Sequence, residues 1–223
     1  MQPQADPFIV PVCHERIKIL YQDEHILLIN KPTRLLSLSG KHPLNKDSVH
    51  YRLVQEFSTA TLVHRLDFGT SGIMLVALSK EVNGLLTKQF QARSTAKTYT
   101  AMLHGKVPND EGSIDFPIAK DRPNFPLQKI CHEEGKSALT NYRVLQRDTD
   151  TDVTRVLFEP ITGRTHQLRI HSQTFGHPIL GCDLYASDTA FFMADRLMLH
   201  ATSLAFDHPV SGERINGQCE CPF

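Results

Sequence analysis

The stretch 61–76 combines an apolar sequence with a polar interruption that a protein interior accepts only under specific conditions. Its middle reads His64-Arg65-Leu66-Asp67-Phe68-Gly69-Thr70-Ser71-Gly72, a cation and a carboxylate followed by small residues. An ionised carboxylate in apolar surroundings is costly unless a cation or backbone amides stabilise it. Either Arg65 and the amides around Gly69 neutralise Asp67, or Asp67 lies at the floor of a cleft. Because these residue types are also common in turns, a simple turn capped by Asp67 remains a third interpretation.

Length and composition indicate a folded globular protein. The chain has 223 residues, of which 40% are hydrophobic, enough for the core of one large domain or two small ones. Residues 1–7 have neither the basic start nor the apolar core of a signal peptide. No segment approaches the roughly 18 apolar residues that cross a membrane. We therefore expect a cytoplasmic protein with no membrane partner.

The cysteines and histidines do not form a recognisable metal or redox motif. The five cysteines are an odd number without a C-x-x-C pair, which argues against a disulfide framework and a zinc ribbon. Among the twelve histidines, His166 and His171 are five residues apart, and no H-E-x-x-H pattern occurs. Dinucleotide-binding and P-loop glycine motifs are also missing from the sequence. We expect free thiols and no metal site.

Positive charge is concentrated in two acid-free stretches, although the formal net charge is zero. Residues 82–109 contain no Asp or Glu, and neither do residues 25–46. The bases in these stretches are Lys88, Arg93, Lys97 and Lys106 in the first, and Lys31, Arg34, Lys41 and Lys46 in the second. The two stretches could form one basic face for RNA, or be solvated surfaces balanced by acids elsewhere.

Apolar periodicity predicts an α+β fold that is mainly antiparallel sheet with flanking helices. Hairpins are expected over 17–21 with 26–29 and over 136–145 with 152–159. Further strands are expected over 73–78, 97–107, 112–118 and 196–206, and the strand 112–118 is expected to pair with the strand 97–107. Asp47 or Ser48 is expected to cap a helix to Phe57, and Ser79 a helix with Val82, Leu85, Leu86 and Phe90 on one side. We expect one domain, 17–223, after an N-terminal arm, 1–16.

A second polar block, residues 162–171, carries Arg164, His166 and Arg169. A turn over 162–165 is expected to start a helix that Gly176 ends. Helical spacing gives the block a basic face, which could bind phosphate through guanidinium groups and the helix N-terminus. Two other interpretations remain open, an exposed charged face without a ligand and an Arg169 that points inward at a carboxylate.

In their order along the chain, these blocks resemble the signatures of the RluA family of pseudouridine synthases, and the resemblance covers nearly the whole sequence. The matching strings are Asn30-Lys31-Pro32, His64-Arg65-Leu66-Asp67 with Thr70-Ser71-Gly72, Lys97-Thr98-Tyr99, residues 163–171, residues 176–181, Leu199-His200-Ala201 and His208-Pro209. The section 121–136 resembles the short members of the family, which act on tRNA and large-subunit rRNA. The strings are weak singly and specific as an ordered set.

The resemblance implies the pseudouridine synthase fold and the isomerisation of specific uridines in RNA. The N-glycosidic bond is replaced by a carbon–carbon bond, with no cofactor and no obligatory metal. The expected partner is a structured stem-loop of tRNA, such as the anticodon arm, or of 23S rRNA, and the protein is expected to be a monomer. Only about sixteen residues precede the first expected strand, so we expect no N-terminal S4 RNA-binding domain.

The resemblance also assigns roles to residues. Asp67 matches the catalytic carboxylate, Arg169 its basic partner, and Tyr99 the tyrosine that packs on the uracil and could remove its C5 proton. Arg65 would fill the gap left by the flipped uridine. By spacing alone, Tyr99 could instead be a cross-strand aromatic residue and Arg65 a simple ion-pair partner of Asp67. Lys31, Lys97, Arg164 and His166 are expected to contact RNA.

One departure from the family pattern lies after Gly181, where an Asp is expected directly. Here Cys182 separates Gly181 from Asp183. We therefore expect Asp183 to be structural and Cys182 to be a packed thiol.

Other functions stay open at this stage. A related synthase could act on another tRNA uridine, and a non-catalytic RNA-binding module could keep the same fold. A glycosidase with Asp67 as nucleophile would need a second carboxylate about 5 Å away, and no neighbouring motif supplies one.

Overall fold

The computed structural model describes residues 9–148 and 150–223, which form two compact units. The first unit contains residues 9–95 and 203–220. The second contains Ala96–Thr202 and Cys221–Phe223. Most strands are antiparallel with their neighbours, and the helices are short, so the predicted α+β class is confirmed.

The first unit has a central strand, β4, whose residues are all buried. Its elements are β1 (Lys18–Gln22), β2 (Ile26–Lys31), α1 (Val49–Leu53), β3 (Thr61–Leu62), β4 (Ser71–Ala77) and α2 (Lys80–Ala92). The strand order is β1-β2-β4, and β3 also pairs with β4. The hairpin of β1 and β2 and the strand that follows Asp67 are confirmed within one or two residues. Continuous apolar sequence in β4 therefore corresponds to a strand covered on both faces.

The second unit is built on an antiparallel sheet in the order β5-β10-β9-β6. Its elements are β5 (Ala96–His104), β6 (Glu111–Asp115), β7 (Ile118–Lys120), β8 (Gln128–Ile130), β9 (Leu139–Asp148), β10 (Val153–Pro160), α3 (Gln167–Thr174) and α4 (Asp188–Phe192). β11 (Leu199–Asp207) runs from this unit into the first, where β12 (Arg214–Gln218) pairs with it. The predicted hairpin of β9 and β10 is confirmed.

Three local expectations differ from the structure. The first helix ends at Leu53 rather than Phe57. Turns follow it, and the Phe57 amide donates to the Leu53 carbonyl at 2.8 Å, so the apolar residues keep a helical spacing beyond the end of the helix. The buried apolar face of α2 is narrower than predicted, because Leu85, which was expected to lie on it, is 39% exposed. β6 pairs with β9 rather than β5, because β10 occupies that edge of β5. The patterns of α4 and β12 were not recognised in the sequence.

The N-terminal arm and the cysteines complete the description. Residues 9–16 have no regular structure, and Arg52 ties them to α1 by donating to the carbonyls of Cys13 and Glu15. The rest of the arm, 1–8, lies outside the described residues. All five cysteines are free thiols. Within 9–148 and 150–223, no helix is long and apolar enough to span a membrane.

Candidate active site

Asp67 lies in the loop between β3 and β4 of the first unit. The neighbouring Leu66 is buried, whereas Asp67 itself is only partly buried. The Thr70 amide donates to the Asp67 carbonyl at 3.1 Å and closes a turn. The loop thus presents a partly accessible carboxylate immediately before the buried strand β4.

Side chains from residues 31–37, which we call the clamp segment, fix the loop around Asp67. Ser37 Oγ donates to the Leu66 carbonyl at 2.7 Å and accepts from the Leu66 amide at 3.2 Å. Thr33 Oγ1 donates to the Gly69 carbonyl at 2.7 Å. Because these bonds lie on both sides of Asp67, the clamp segment determines where the carboxylate is held.

Lys31 is the third member of this clamp and has a place that the sequence did not indicate. Its side chain is fully buried, and Nζ donates to the carbonyls of Pro32, Leu35 and Phe68 at 2.9, 2.7 and 3.2 Å. An ammonium has three protons, which matches these three acceptors. A fully buried ammonium is not available to a phosphate. The structure therefore corrects the expected RNA contact of Lys31, since this residue supports the Asp67 loop from inside.

Arg65 and His64 point to different environments. Arg65 is exposed. His64 Nε2 accepts from the Leu75 amide at 3.0 Å, and its ring stacks on Phe90 with 4.9 Å between centroids. The His64 ring is thus a fixed part of the unit, whereas the Arg65 guanidinium is accessible to a ligand.

Arg169 is the buried cation of the second unit. It is 4% exposed, its Nε donates to Cys182 Sγ at 3.3 Å, and its Nη2 donates to Asp183 Oδ1 at 2.5 Å. The guanidinium also lies 5.4 Å from the centre of the Tyr185 ring. Of the alternatives open for this helix, an exposed charged face is wrong, because residues 167–172 are all buried. The inward orientation against a carboxylate is confirmed, with Asp183 as one such partner.

Gln167 explains how α3 starts without a Ser, Thr or Asp cap. It is 4% exposed, and its Oε1 accepts from Thr162 Oγ1 at 2.7 Å and from the Arg164 amide at 2.9 Å. Its Nε2 donates to the Leu139 carbonyl and to Thr140 Oγ1. The buried amide therefore has four hydrogen bonds, two to the turn before the helix and two to β9. The block 162–165 precedes the helix rather than forming part of its face.

Arg164 and His166 occupy the turn before α3. His166 has a left-handed backbone with φ of 55°, and its Nδ1 lies 2.8 Å from the Tyr185 hydroxyl. Because Tyr185 also packs near Arg169, it connects His166 and Arg169, two of the three basic residues of this block. Arg164 is partly exposed and its Nε donates to the Ser137 carbonyl at 3.0 Å. Guanidinium N–H groups of a partly exposed arginine are donors of the kind that bind phosphate.

Lys97 and Tyr99 lie on one face of β5, two residues apart. Tyr99 is partly buried, packs on the core of the second unit and is directly opposite Phe158 of β10. Burial lowers the pKa of Lys97 below its ordinary value. Lys97 Nζ lies 3.7 Å from the point where a Cβ on Gly163 would be, so the glycine leaves space beside this amine. A phosphate next to Lys97 would favour its charged form.

Sequence reasoning missed the residues that hold the site residues in place. These are Thr33 and Ser37 in the first unit and Tyr185 in the second. Cys182 and Asp183 were expected to be structural, but their hydrogen bonds with Arg169 were not foreseen. Thr33 and Ser37 look like ordinary turn residues, and only their bonds to a distant loop reveal a role. The sequence did contain a signal for Asp183, because the family pattern has an Asp directly after the glycine that corresponds to Gly181. Among the described residues, no group of three or more His, Cys, Asp or Glu side chains is arranged to hold a metal ion.

Comparisons with known proteins agree with the motifs. Residues 25–174 match the family model described as RNA pseudouridylate synthase. Proteins named dual-specificity RNA pseudouridine synthase RluA are 51% identical over 205 residues in Yersinia pestis, covering 92% of this chain and 99% of that protein. In Escherichia coli K12 the identity is 43% over 221 residues, covering 99% and 97%. The solved structure of human RNA pseudouridylate synthase domain containing 1 superposes with a TM-score of 0.80 at 30% identity, covering 96% of this chain and 86% of that one.

Proposed function

The chain belongs to the RNA pseudouridylate synthase family, an RNA-modifying isomerase family, and we propose that Asp67 is its catalytic carboxylate. The observation that supports this assignment is the clamp on the Asp67 loop, where three side chains bond the backbone around one partly accessible carboxylate. Such constraint is expected where a reacting group must keep its position. The same loop presents the exposed Arg65 two residues earlier.

The reaction converts uridine to pseudouridine without loss of atoms. The bond from uracil N1 to the ribose C1′ breaks, a bond from C5 to C1′ forms, and the C5 proton leaves while N1 gains one. We assign to Asp67 the action on the flipped nucleotide and to Arg169 the role of its basic partner. Tyr99 packs on the uracil, and its phenol takes part in removing the C5 proton. No cofactor is assigned to any of these steps.

Replacing Asp67 with Asn tests the catalytic assignment, because the amide keeps the shape and removes the charge. We expect turnover on an RNA stem-loop to fall on the order of 10³-fold or more, while RNA affinity changes little. Pseudouridine is measured by mass spectrometry and affinity by fluorescence polarisation. The matched control is Asp110→Asn, an exposed aspartate whose side chain is 85% accessible. Turnover by Asp67→Asn at the wild-type rate would refute the assignment, and a wild type without product would favour the non-catalytic RNA-binding module.

Tyr99→Phe separates two roles of the ring. Removal of the hydroxyl keeps the stacking surface but removes the exchangeable proton. We expect kcat to fall with KM for RNA nearly unchanged. An unchanged kcat would leave Tyr99 as a stacking residue only, as the alternative of a cross-strand aromatic residue also predicts.

For the substrate, we propose stem-loops of both tRNA, at the anticodon arm, and 23S rRNA. The support is that relatives covering almost the whole chain are named dual-specificity enzymes. Mapping pseudouridines in total RNA with and without this protein identifies the targets. Modification of only one RNA class, or of a uridine elsewhere in tRNA, would contradict this substrate assignment. We further propose that the protein acts as a monomer in the cytoplasm, which sedimentation and fractionation test.

For RNA binding, we propose that Arg65 enters the gap left by the flipped uridine and that Lys97, Arg164 and His166 contact the backbone. A planar guanidinium can stack on bases and donate hydrogen bonds at once. Each phosphate contact adds to the salt dependence of binding. We expect Arg164→Gln to reduce the slope of log affinity against log salt by about 0.7 to 0.9. An unchanged slope would exclude a phosphate contact by Arg164.

A further inference from the structure

A groove beside Arg65 is not used by the catalytic assignment. It lies in the first unit and has a volume of about 380 Å³. Its lining combines apolar side chains with polar and basic ones, namely Leu38, Leu62 and Val63 with His50, Thr61, His64 and Arg65. We call it the Arg65 groove. Flat apolar and aromatic surfaces next to a guanidinium are the features that bind unstacked bases of RNA.

One residue that lines the Arg65 groove is held firmly. The His64 ring accepts from the Leu75 amide at 3.0 Å and stacks on Phe90, so its orientation is set by α2 and the central strand. Leu38, which also lines the groove, is 43% exposed. Exposed apolar side chains are poorly solvated by water. A base entering the groove would bury such apolar surface of its lining.

The chain segment that supplies Leu38 to the groove favours a polyanion. The segment 25–46, which includes Leu38, contains no acid, and Lys41 and Lys46 in it are exposed. Asp47, which follows directly, is paired with Arg52 at 2.6 Å and contributes little net charge. Lys46 Nζ lies 4.9 Å from the centre of the Tyr51 ring. A nucleotide has both a base whose faces can contact apolar and aromatic side chains and phosphates that exposed lysines attract.

The position of the groove along the chain links it to the reaction. Arg65 and Asp67 are two residues apart, so their Cα atoms are separated by at most about 7 Å. A base in the groove would therefore belong to a nucleotide near the target uridine. We propose that the Arg65 groove binds an unstacked nucleobase of the RNA substrate, adjacent in the loop to the uridine that reacts. This inference rests on the proposed function and adds a specificity site to it.

A binding cycle tests the proposal with RNA lacking one base at a time. The probes are the anticodon-arm stem-loop and versions with an abasic nucleotide at each loop position, and affinity is measured by fluorescence polarisation. For the wild type, we expect one abasic position besides the target to weaken binding about tenfold, the usual effect of one stacked base. In Leu38→Ala, the same abasic change should weaken binding far less, because the site for that base is already impaired. Leu44→Ala is the matched control, since Leu44 is 66% exposed on the same segment and lies outside the groove.

His50→Gln provides a second groove variant in case Leu38→Ala is poorly folded, and thermal unfolding checks both. The proposal is overturned if no abasic position distinguishes the groove variants from Leu44→Ala. Pseudouridine formed by the wild type on the intact stem-loop is measured in parallel. No product would refute the proposed function, whereas normal product without base-specific coupling would refute only the groove.

Discussion

The Asp67 loop and the Arg169 helix are held in place by different interactions. In the first unit, Ser37, Thr33 and Lys31 bond the backbone carbonyls and an amide around Asp67. In the second unit, side chains bond the Arg169 side chain itself, through a carboxylate and a thiol. The first arrangement fixes where the chain runs, and the second fixes where a charge points.

This difference predicts different consequences of mutation. When a buried carbonyl loses its donor, the free energy of unfolding falls, because the carbonyl stays desolvated in the folded state. An ion pair with an exposed partner contributes little to stability, because water screens it. The side chain of Asp183 is 61% accessible, whereas Lys31 is fully buried. Changes in the clamp segment should therefore affect stability and activity together, and changes around Arg169 should affect activity with little loss of stability.

Lys31→Met should have the largest effect. The variant keeps an unbranched side chain but leaves three carbonyls without this donor, each of which costs about 1–3 kcal/mol when unsatisfied. We expect the free energy of unfolding to fall by about 3 kcal/mol or more and turnover to fall with it. Urea denaturation and pseudouridine assays measure the two effects. Lys41→Met, at an exposed lysine, is the control and should change stability by less than about 0.5 kcal/mol.

Ser37→Ala should have the next largest effect. Its Oγ is the only described side-chain partner that both donates to and accepts from Leu66. Loss of this buried hydroxyl should lower the free energy of unfolding by about 1–3 kcal/mol and lower kcat, because the Asp67 loop becomes less constrained. Ser58→Ala, at an exposed serine of the same unit, is the control. A destabilised Ser37→Ala with wild-type kcat would show that the clamp is purely structural.

Asp183→Asn tests the other half of the comparison. Removal of the carboxylate charge leaves Arg169 without one of its partners but alters an exposed group. We expect less than about 1 kcal/mol of lost stability, together with a kcat lower by about tenfold and a nearly unchanged KM. Asp188→Asn, an exposed aspartate in α4, is the control. A large loss of stability with normal kcat would reverse the distinction between the two regions.

The sequence predicted the elements whose patterns are local. Apolar spacing predicts the hairpins and the buried strand after Asp67. The helix start at Ser79 depends on one hydroxyl that accepts from the amide three residues later. The edge of β5 could not be assigned in the same way, because its partner is decided by strands that are distant in sequence.

The candidate site was predictable for the residues that the family motifs contain, and much less for their supports. Lys31 illustrates the limit. A lysine in an acid-free stretch is expected on the surface, and only the convergence of carbonyls from residues 32, 35 and 68 makes its burial favourable. Asp183 was expected to be structural. Its carboxylate accepts a hydrogen bond from Arg169, so its structural role is to position that guanidinium.

The smallest effect is expected from pH, and it again separates the two regions. His171 of α3 is fully buried, with Nε2 at 3.1 Å from the Phe116 carbonyl and Nδ1 at 3.0 Å from Thr140 Oγ1. Burial lowers the pKa of His171 below its ordinary value, although the bond to Phe116 and the charge of Asp115 oppose this. The unfolded chain therefore binds the proton more readily than the folded one. Stability is unaffected above the unfolded pKa of about 6.5 and falls as the pH decreases from there towards the folded pKa.

His171→Gln removes the titrating imidazole and should remove its contribution to the pH dependence of stability. We expect the free energy of unfolding, measured in urea between pH 8 and pH 5, to decrease less steeply in the variant than in the wild type. His132→Gln, at an exposed histidine, should keep the wild-type slope. The hydroxyls of Thr33 and Ser37 do not titrate in this range, so Ser37→Ala should lower stability by the same amount at every pH. If instead His171→Gln kept the full slope and Ser37→Ala changed it, the proton-sensitive support would belong to the Asp67 loop rather than to the Arg169 helix.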